Sequence, residues 1–245
     1  MSALRIALAA TALAIGGSLS ARAVPLVPTS YDMRNGNGVA SGGSFNYWDI
    51  GYSGTGSASG AGPKTSDGET LTGGVGDLTD GVVAAVNWFV SESIPGTGPY
   101  VGWCRSCGAA STLDPTITFR FTPGTLETYV FDSVTLHLDD SNGAGGVEPP
   151  LGVSVAIDGG VPLFVPVADP ADGAPFSLTI PLGGVIGTVV ELQLQHDNQW
   201  IFLSEVAFDG GIIIRDDFGV PAPASLFLLG LGLTGLAALR RGTRA

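Results

Sequence analysis

In Thr116-Ile117-Thr118-Phe119-Arg120-Phe121 apolar and polar residues alternate, so Ile117, Phe119 and Phe121 fall on one side of an extended chain. The same period of two places Val134, Leu136 and Leu138 together, and it recurs in 152–158, 176–180, 189–195 and 201–208. Glycine clusters and prolines separate these runs, and Asp158-Gly159-Gly160 and Asp209-Gly210-Gly211 read as turns. Helical periodicity is absent from the central region, where 82–90 alone reads as a short helical turn or, equally, a strand. Strands near 117, 134, 154, 178, 192 and 204, with earlier ones near 46 and 86, predict an all-β jelly-roll β-sandwich. The stretch 51–76, rich in Gly, Ser and Thr, reads as a long exposed loop with one or two short strands.

The two ends follow different rules. Residues 1–23 carry an early Arg5, an apolar run from Ile6 to Ile15 and the small-x-small triplet Ala21-Arg22-Ala23. This is the layout of a cleavable export signal, with its helix removed after Ala23. At the other end, 20 residues from Val220 to Leu239 carry no charge, and Arg240, Arg241 and Arg244 follow. An apolar span closed by basic residues predicts a transmembrane helix whose basic end stays inside the cell. Gly230, Gly232 and Gly235 argue against a soluble core helix there. The expected organisation is a signal peptide (1–23), a β-sandwich ectodomain (24–211), a linker (212–219) and a C-terminal tail (220–245).

The tail resembles the PEP-CTERM sorting signals, in which a short proline motif precedes an apolar helix and a basic cluster. Here Val220, Pro221, Pro223 and Ala224 stand at the motif, with Ala222 in the position of the family's Glu. The tail is similar to the Val-Pro-x-Pro-Ala variant. The resemblance implies cleavage near 221–224 by an exosortase-type enzyme, a transient membrane anchor, and delivery to the cell surface or extracellular matrix.

Charge narrows the partners. All 22 acidic residues lie between 24 and 219, against five of the ten basic ones, a formal charge of −17 for that stretch. Nucleic acid and anionic membrane surfaces require Lys and Arg and are disfavoured. Ca²⁺ suits a carboxylate-rich surface, and acidity for solubility accounts for the same composition. Cys104 and Cys107 form a CxxC pair without a βαβ setting or two further zinc ligands, so a local disulfide is expected in an oxidising compartment.

Asp77-Leu78-Thr79-Asp80-Gly81 sets two carboxylates and flexible carbonyls within five residues, and Glu205 interrupts an otherwise apolar strand. A carboxylate in such a strand needs a partner if buried, and Ca²⁺ would supply one. The Leu-Thr-Asp-Gly motif and the closing Phe202-Leu203-Ser204-Glu205-Val206 resemble the galactose-binding-like sandwich of discoidin-type and carbohydrate-binding modules. That resemblance implies a structural Ca²⁺ site where Leu78-Thr79-Asp80-Gly81 meets Glu205; with Asp77 added on the residue reading, the expected ligands are Asp77, Leu78, Asp80 and Glu205. A sugar-binding surface would need aromatic platforms, since flat apolar rings suit sugar C–H faces; Trp48, Trp103 and Trp200, near predicted loops, are the candidates, and the alternative is that each is a core aromatic of the sandwich.

Enzymatic motifs are missing: there is no Gly-x-Ser-x-Gly elbow, no His-Glu-x-x-His and no phosphate loop. His137 reads as a surface residue and His196 as part of a polar turn. The expected function is non-catalytic binding or scaffolding of exopolysaccharide. A purely structural surface protein is the alternative, followed by a glycan hydrolase with two carboxylates across a cleft.

Overall fold

The computed structural model describes residues 24–37, 47–56, 68–91, 98–106, 113–197 and 199–214. The leader, Cys107 and the tail with Val220, Pro221, Pro223 and Ala224 lie outside the described residues. Among the described residues eleven strands run in chain order: β1 (Val24–Leu26), β2 (Ser30–Arg34), β3 (Thr70–Gly74), β4 (Val101–Cys104), β5 (Thr116–Arg120), β6 (Glu127–Leu138), β7 (Gly152–Ile157), β8 (Leu163–Pro166), β9 (Phe176–Ile186), β10 (Val189–Gln195) and β11 (Trp200–Ile214). One α-helical turn, α1 (Trp88–Ser91), and 3₁₀ turns at Asp77–Thr79 and Ala144–Gly146 join them among the described residues. Among the described residues no helix is long and apolar enough to cross a membrane.

The strands form two sheets, and every pairing between them is antiparallel. One runs β1-β11-β6-β9, with β4 also on β11; the other runs β3-β2-β5-β10-β7-β8. This is the two-layer all-β sandwich that the alternation predicts. Its core interleaves the inward residues of both layers: Ile117 and Phe119 of β5 and Val190, Leu192 and Leu194 of β10 face Phe131, Val134 and Leu136 of β6 and Phe208 of β11. Phe119 meets Phe208 edge-on at 5.0 Å between ring centres, which ties the layers together.

A shift of register on β11 positions the candidate site. Between Leu203 and Glu205 the pairing with β6 slips by one residue. Such a bulge flips the in–out parity of the strand. Ile201 and Leu203 before it and Val206 and Phe208 after it all face the main core. Trp200 and Phe202 turn to the opposite face, where a second cluster forms with Tyr47, Ala84, Tyr100 and Val147.

Several elements differ from expectation. Residue 86 is not in a strand, because 82–87 is irregular and ends in α1. Position 46 lies outside the described residues. β4 has no alternation to read: all four of its residues are buried, with Val101 and Trp103 in the main core and Cys104 in the second cluster. β11 continues to Ile214, pairing Ile212 with Tyr129, and so runs three residues into the expected linker.

Candidate functional site

Two segments far apart in sequence meet on the outer side of β11. The loop after β3 makes one 3₁₀ turn at Asp77–Thr79, and Gly81 follows with φ of +83°, a left-handed conformation suited to glycine. The Gly81 N–H donates to Glu205 Oε2 at 3.1 Å, and the Ala84 N–H donates to Ser204 Oγ at 3.2 Å. The neighbouring residues at the bulge therefore each hold a backbone amide of the same loop. Asp80 Oδ1 accepts the Val82 N–H at 2.8 Å, which fixes the turn.

Asp80 and Glu205 line one cleft of about 350 Å³, together with Pro25, Val27, Thr79 and Asp209. Glu205 is 7 % exposed. Burial pushes its carboxyl up to about 7, the Gly81 amide opposes the shift and the charge of Asp80 adds to it. The ion pairs among the described residues are Arg120–Asp32 and, when its imidazole is protonated, His196–Asp114, so none of the three acids of the cleft, Asp80, Glu205 and Asp209, has one. Hard oxygen donors without a counter-charge are the chemistry that Ca²⁺ accepts.

Asp77 faces elsewhere. Its two oxygens accept the Ile50 and Gly51 amides at 3.2 and 3.1 Å. Its own N–H donates to Asp49 Oδ1 at 3.0 Å. The Tyr31 hydroxyl donates to Asp49 Oδ2, and the Asp49 N–H to Asn35 Oδ1. Burial first, then mutual repulsion, raises the carboxyl of Asp77; burial likewise raises Asp49. This network staples two loops, and Asp77 is not among the residues that line the cleft. Leu78 is fully buried in the core. Of the four expected ligands, the structure brings Asp80 and Glu205 together and assigns the side chains of Asp77 and Leu78 to holding the loop. Among the described residues no group of three or more Asp, Glu, His or Cys side chains surrounds a metal position.

The aromatic platform is corrected. Trp103 has no exposed surface, and its indole N–H donates to Arg34 O at 2.8 Å. Trp200 is 9 % exposed and stacks on Phe202 at 5.6 Å with the rings 7° from parallel. Both are core residues, because β4 and β11 are covered on both faces. Trp48 is half-buried and keeps an open side. Cys104 is disulfide-bonded, and Cys107 is the chain's other cysteine.

His196 is buried rather than part of an exposed turn. Its Nε2 lies 3.0 Å from Trp103 O, and burial lowers its pKa. His137 is half-buried, with Nδ1 2.7 Å from Ser177 Oγ. Asp49, Asn35 and Ser204 carry much of the geometry and were not singled out by sequence. The one signal for Asp49 was a carboxylate set among aromatic and aliphatic neighbours.

A family model described as discoidin domain-containing receptor 1/2, DS-like domain, matches residues 28–210. Among solved structures, a fucolectin from the serum of Morone saxatilis (striped bass) aligns at 16 % identity over 78 % of this chain and 80 % of that one, with a TM-score of 0.36. The protein CpGH89CBM32-6 of Clostridium perfringens aligns at 16 % identity over 45 % of this chain and 77 % of that one, with a TM-score of 0.30. No curated protein sequence matches.

Proposed function

This chain belongs to the DS-like domain family of discoidin domain-containing receptors 1 and 2, and we propose that it is an exported, non-catalytic glycan-binding module of the cell surface or extracellular matrix, with Ca²⁺ bound at Asp80 and Glu205. The observation that carries the reading is the junction of Gly81 with Glu205, which brings two uncompensated carboxylates to one cleft of a sandwich of this family. The rest of a Ca²⁺ shell would come from backbone carbonyl and water oxygens. Binding would organise the loop rather than perform chemistry. Of the three expected platforms, Trp48 is the one that is not buried.

The ligand class we assign is exopolysaccharide. Retention of the full chain on the host's own matrix polysaccharide, with Ca²⁺ and with chelator, tests it; absence of binding to every polysaccharide tried removes the glycan part. A structural surface protein without a small ligand is the second reading, favoured by the burial of Trp103 and Trp200. Export, an exosortase-type processing enzyme and a transient C-terminal membrane helix are part of the proposal on the sequence of the two ends. Intact-mass measurement of the mature product supports them if it starts at Val24 and ends near 221–224, and refutes them if both ends are retained.

A further inference from the structure

The sandwich is apolar at the end where β11 runs out. β11 stops at Ile214, which pairs with Glu127 at the start of β6. On the other side of β6, Val130 pairs with Ile186, the last residue of β9. The β9–β10 turn meets the β7–β8 turn of the second sheet, where the Thr188 and Val189 amides donate to Asp158 Oδ1 at 3.1 and 2.9 Å. Strand ends and turns of both layers therefore gather at this one end.

Their side chains are exposed aliphatics. Val161 is 95 % exposed and Ile214 65 %, and Leu163, Val185, Ile186 and Ile212 are exposed as well. Val161, Leu163 and Val185 also line, with Ile157 and Leu182, a cleft of about 350 Å³ that has no polar side chain in its lining. Single surface aliphatics are ordinary, but a set gathered in one place marks an interaction surface. Positive charge does not define this one. Arg120, the basic residue at this end among the described ones, is paired with Asp32 at 2.8 Å.

Chain length indicates what faces this end. Residues 215–219 separate Ile214 from the uncharged run 220–239. Five residues reach at most about 18 Å. The 15 residues of β11 extend about 50 Å. The uncharged run therefore begins close to the Ile214 end and far from the opposite one, where Glu148 bonds to Trp200 O and Leu151 to Gln195 O.

We propose that the Ile214 end of the sandwich rests on the lipid surface of the membrane that 220–239 enters, with aliphatics such as Val161, Ile186 and Ile214 seated between headgroups and acyl chains. The inference rests on the reading of 220–239 as a membrane span. Apolar contact holds this end, since Glu127, Asp158 and the paired Arg120 offer nothing to anionic headgroups. The opposite end, with Leu151, then points away from the membrane.

The full chain in phosphatidylcholine vesicles tests this, with an environment-sensitive fluorophore on a cysteine introduced by Val161→Cys or by Leu151→Cys and labelled without reductant. Both positions are exposed and outside the strands, so neither change disturbs the core. Flotation reports whether the chain is anchored, and quenching by a nitroxide lipid reports whether the probe touches the bilayer. We expect flotation, loss of most of the emission at position 161 and none at position 151. Flotation without quenching at 161 overturns the contact and leaves the anchor standing; if aqueous iodide cannot reach that probe either, a second copy or the chain's own 220–239 covers the end instead. Equal quenching at both positions also overturns the contact, because neither end would then be preferred. No flotation overturns the anchor and the contact together.

Discussion

Glu205 accepts the Gly81 amide at 3.1 Å across 124 residues of chain, and in doing so it joins the last strand of one sheet to the loop that follows β3. The bond is neutral in its geometry but not in its charge, because the buried carboxylate faces Asp80. Glu205→Gln keeps an oxygen for the Gly81 amide and removes the repulsion. In chelator the variant is therefore expected to melt at the wild-type temperature or above it. With Ca²⁺ at about 100 times its dissociation constant, the wild type gains about 2.7 kcal/mol and the variant loses the part due to the cleft. Differential scanning fluorimetry with Ca²⁺ and with chelator measures both. A Ca²⁺-induced shift of equal size in the two proteins would disprove binding at Glu205.

Stability should fall as pH rises in the absence of Ca²⁺. Burial raises the carboxyls of Asp49 and Asp77 and pushes Glu205 up to about 7, while in the unfolded chain such groups titrate near ~4. Between those limits the folded state holds more protons than the unfolded state. The stabilisation is complete below the unfolded values and is lost as pH climbs through the folded ones. Urea midpoints in chelator should drop between pH 4.5 and pH 8, and less steeply for E205Q. The acidic surface pushes in the same direction through self-repulsion, so the difference between variant and wild type is the diagnostic. Equal slopes would show that Glu205 is not the titrating group.

Alternating strands such as β5 and β10 were legible because each has one wet face. In β5 and β10 the buried residues are those that alternation selects, Ile117 and Phe119 in one and Val190, Leu192 and Leu194 in the other. β4 was illegible for the converse reason: with both faces covered, Val101 to Cys104 shows no period, and the CxxC spacing drew attention to the loop instead. The site was half legible. Asp80 and Glu205 followed from motif and context, whereas the fate of Asp77 depends on the amides of Ile50 and Gly51, which come within reach only through folding. The tryptophans stayed ambiguous because a large aromatic looks the same in sequence whether it covers a sheet or faces solvent; Trp103 and Trp200 follow the core reading.

That last point separates Trp103 from Trp48. Trp103→Phe removes the donor to Arg34 O and opens space in the core, so it is expected to cost about 1–3 kcal/mol in urea unfolding. Polysaccharide retention by the folded fraction should stay unchanged. Trp48→Ala should reduce retention with a smaller loss of stability, since Trp48 is half-buried. If Trp103→Phe weakened binding and left the urea midpoint in place, Trp103 would be a ligand contact after all.

Two adjacent glycines on β11 give a test of the packing itself. A Cβ on Gly210 would lie 1.9 Å from the carbonyl oxygen of Val130, backbone that cannot step aside, whereas a Cβ on Gly211 meets nothing within 4 Å. The contrast arises from the register shift with β6 between Asp209 and Gly210, which presses one residue against the neighbouring strand and leaves the next in the open. Gly210→Ala must displace β6 and should cost about 1–3 kcal/mol or more. Gly211→Ala is expected within about 0.5 kcal/mol of the wild type, helped by the smaller entropy of the unfolded alanine chain. Paired urea titrations of the two variants measure the difference. Equal midpoints would mean that β11 and β6 are not packed in this register, and since Glu205 pairs with His137 in that same ladder, the placement of its carboxylate at the Gly81 loop would fall with it.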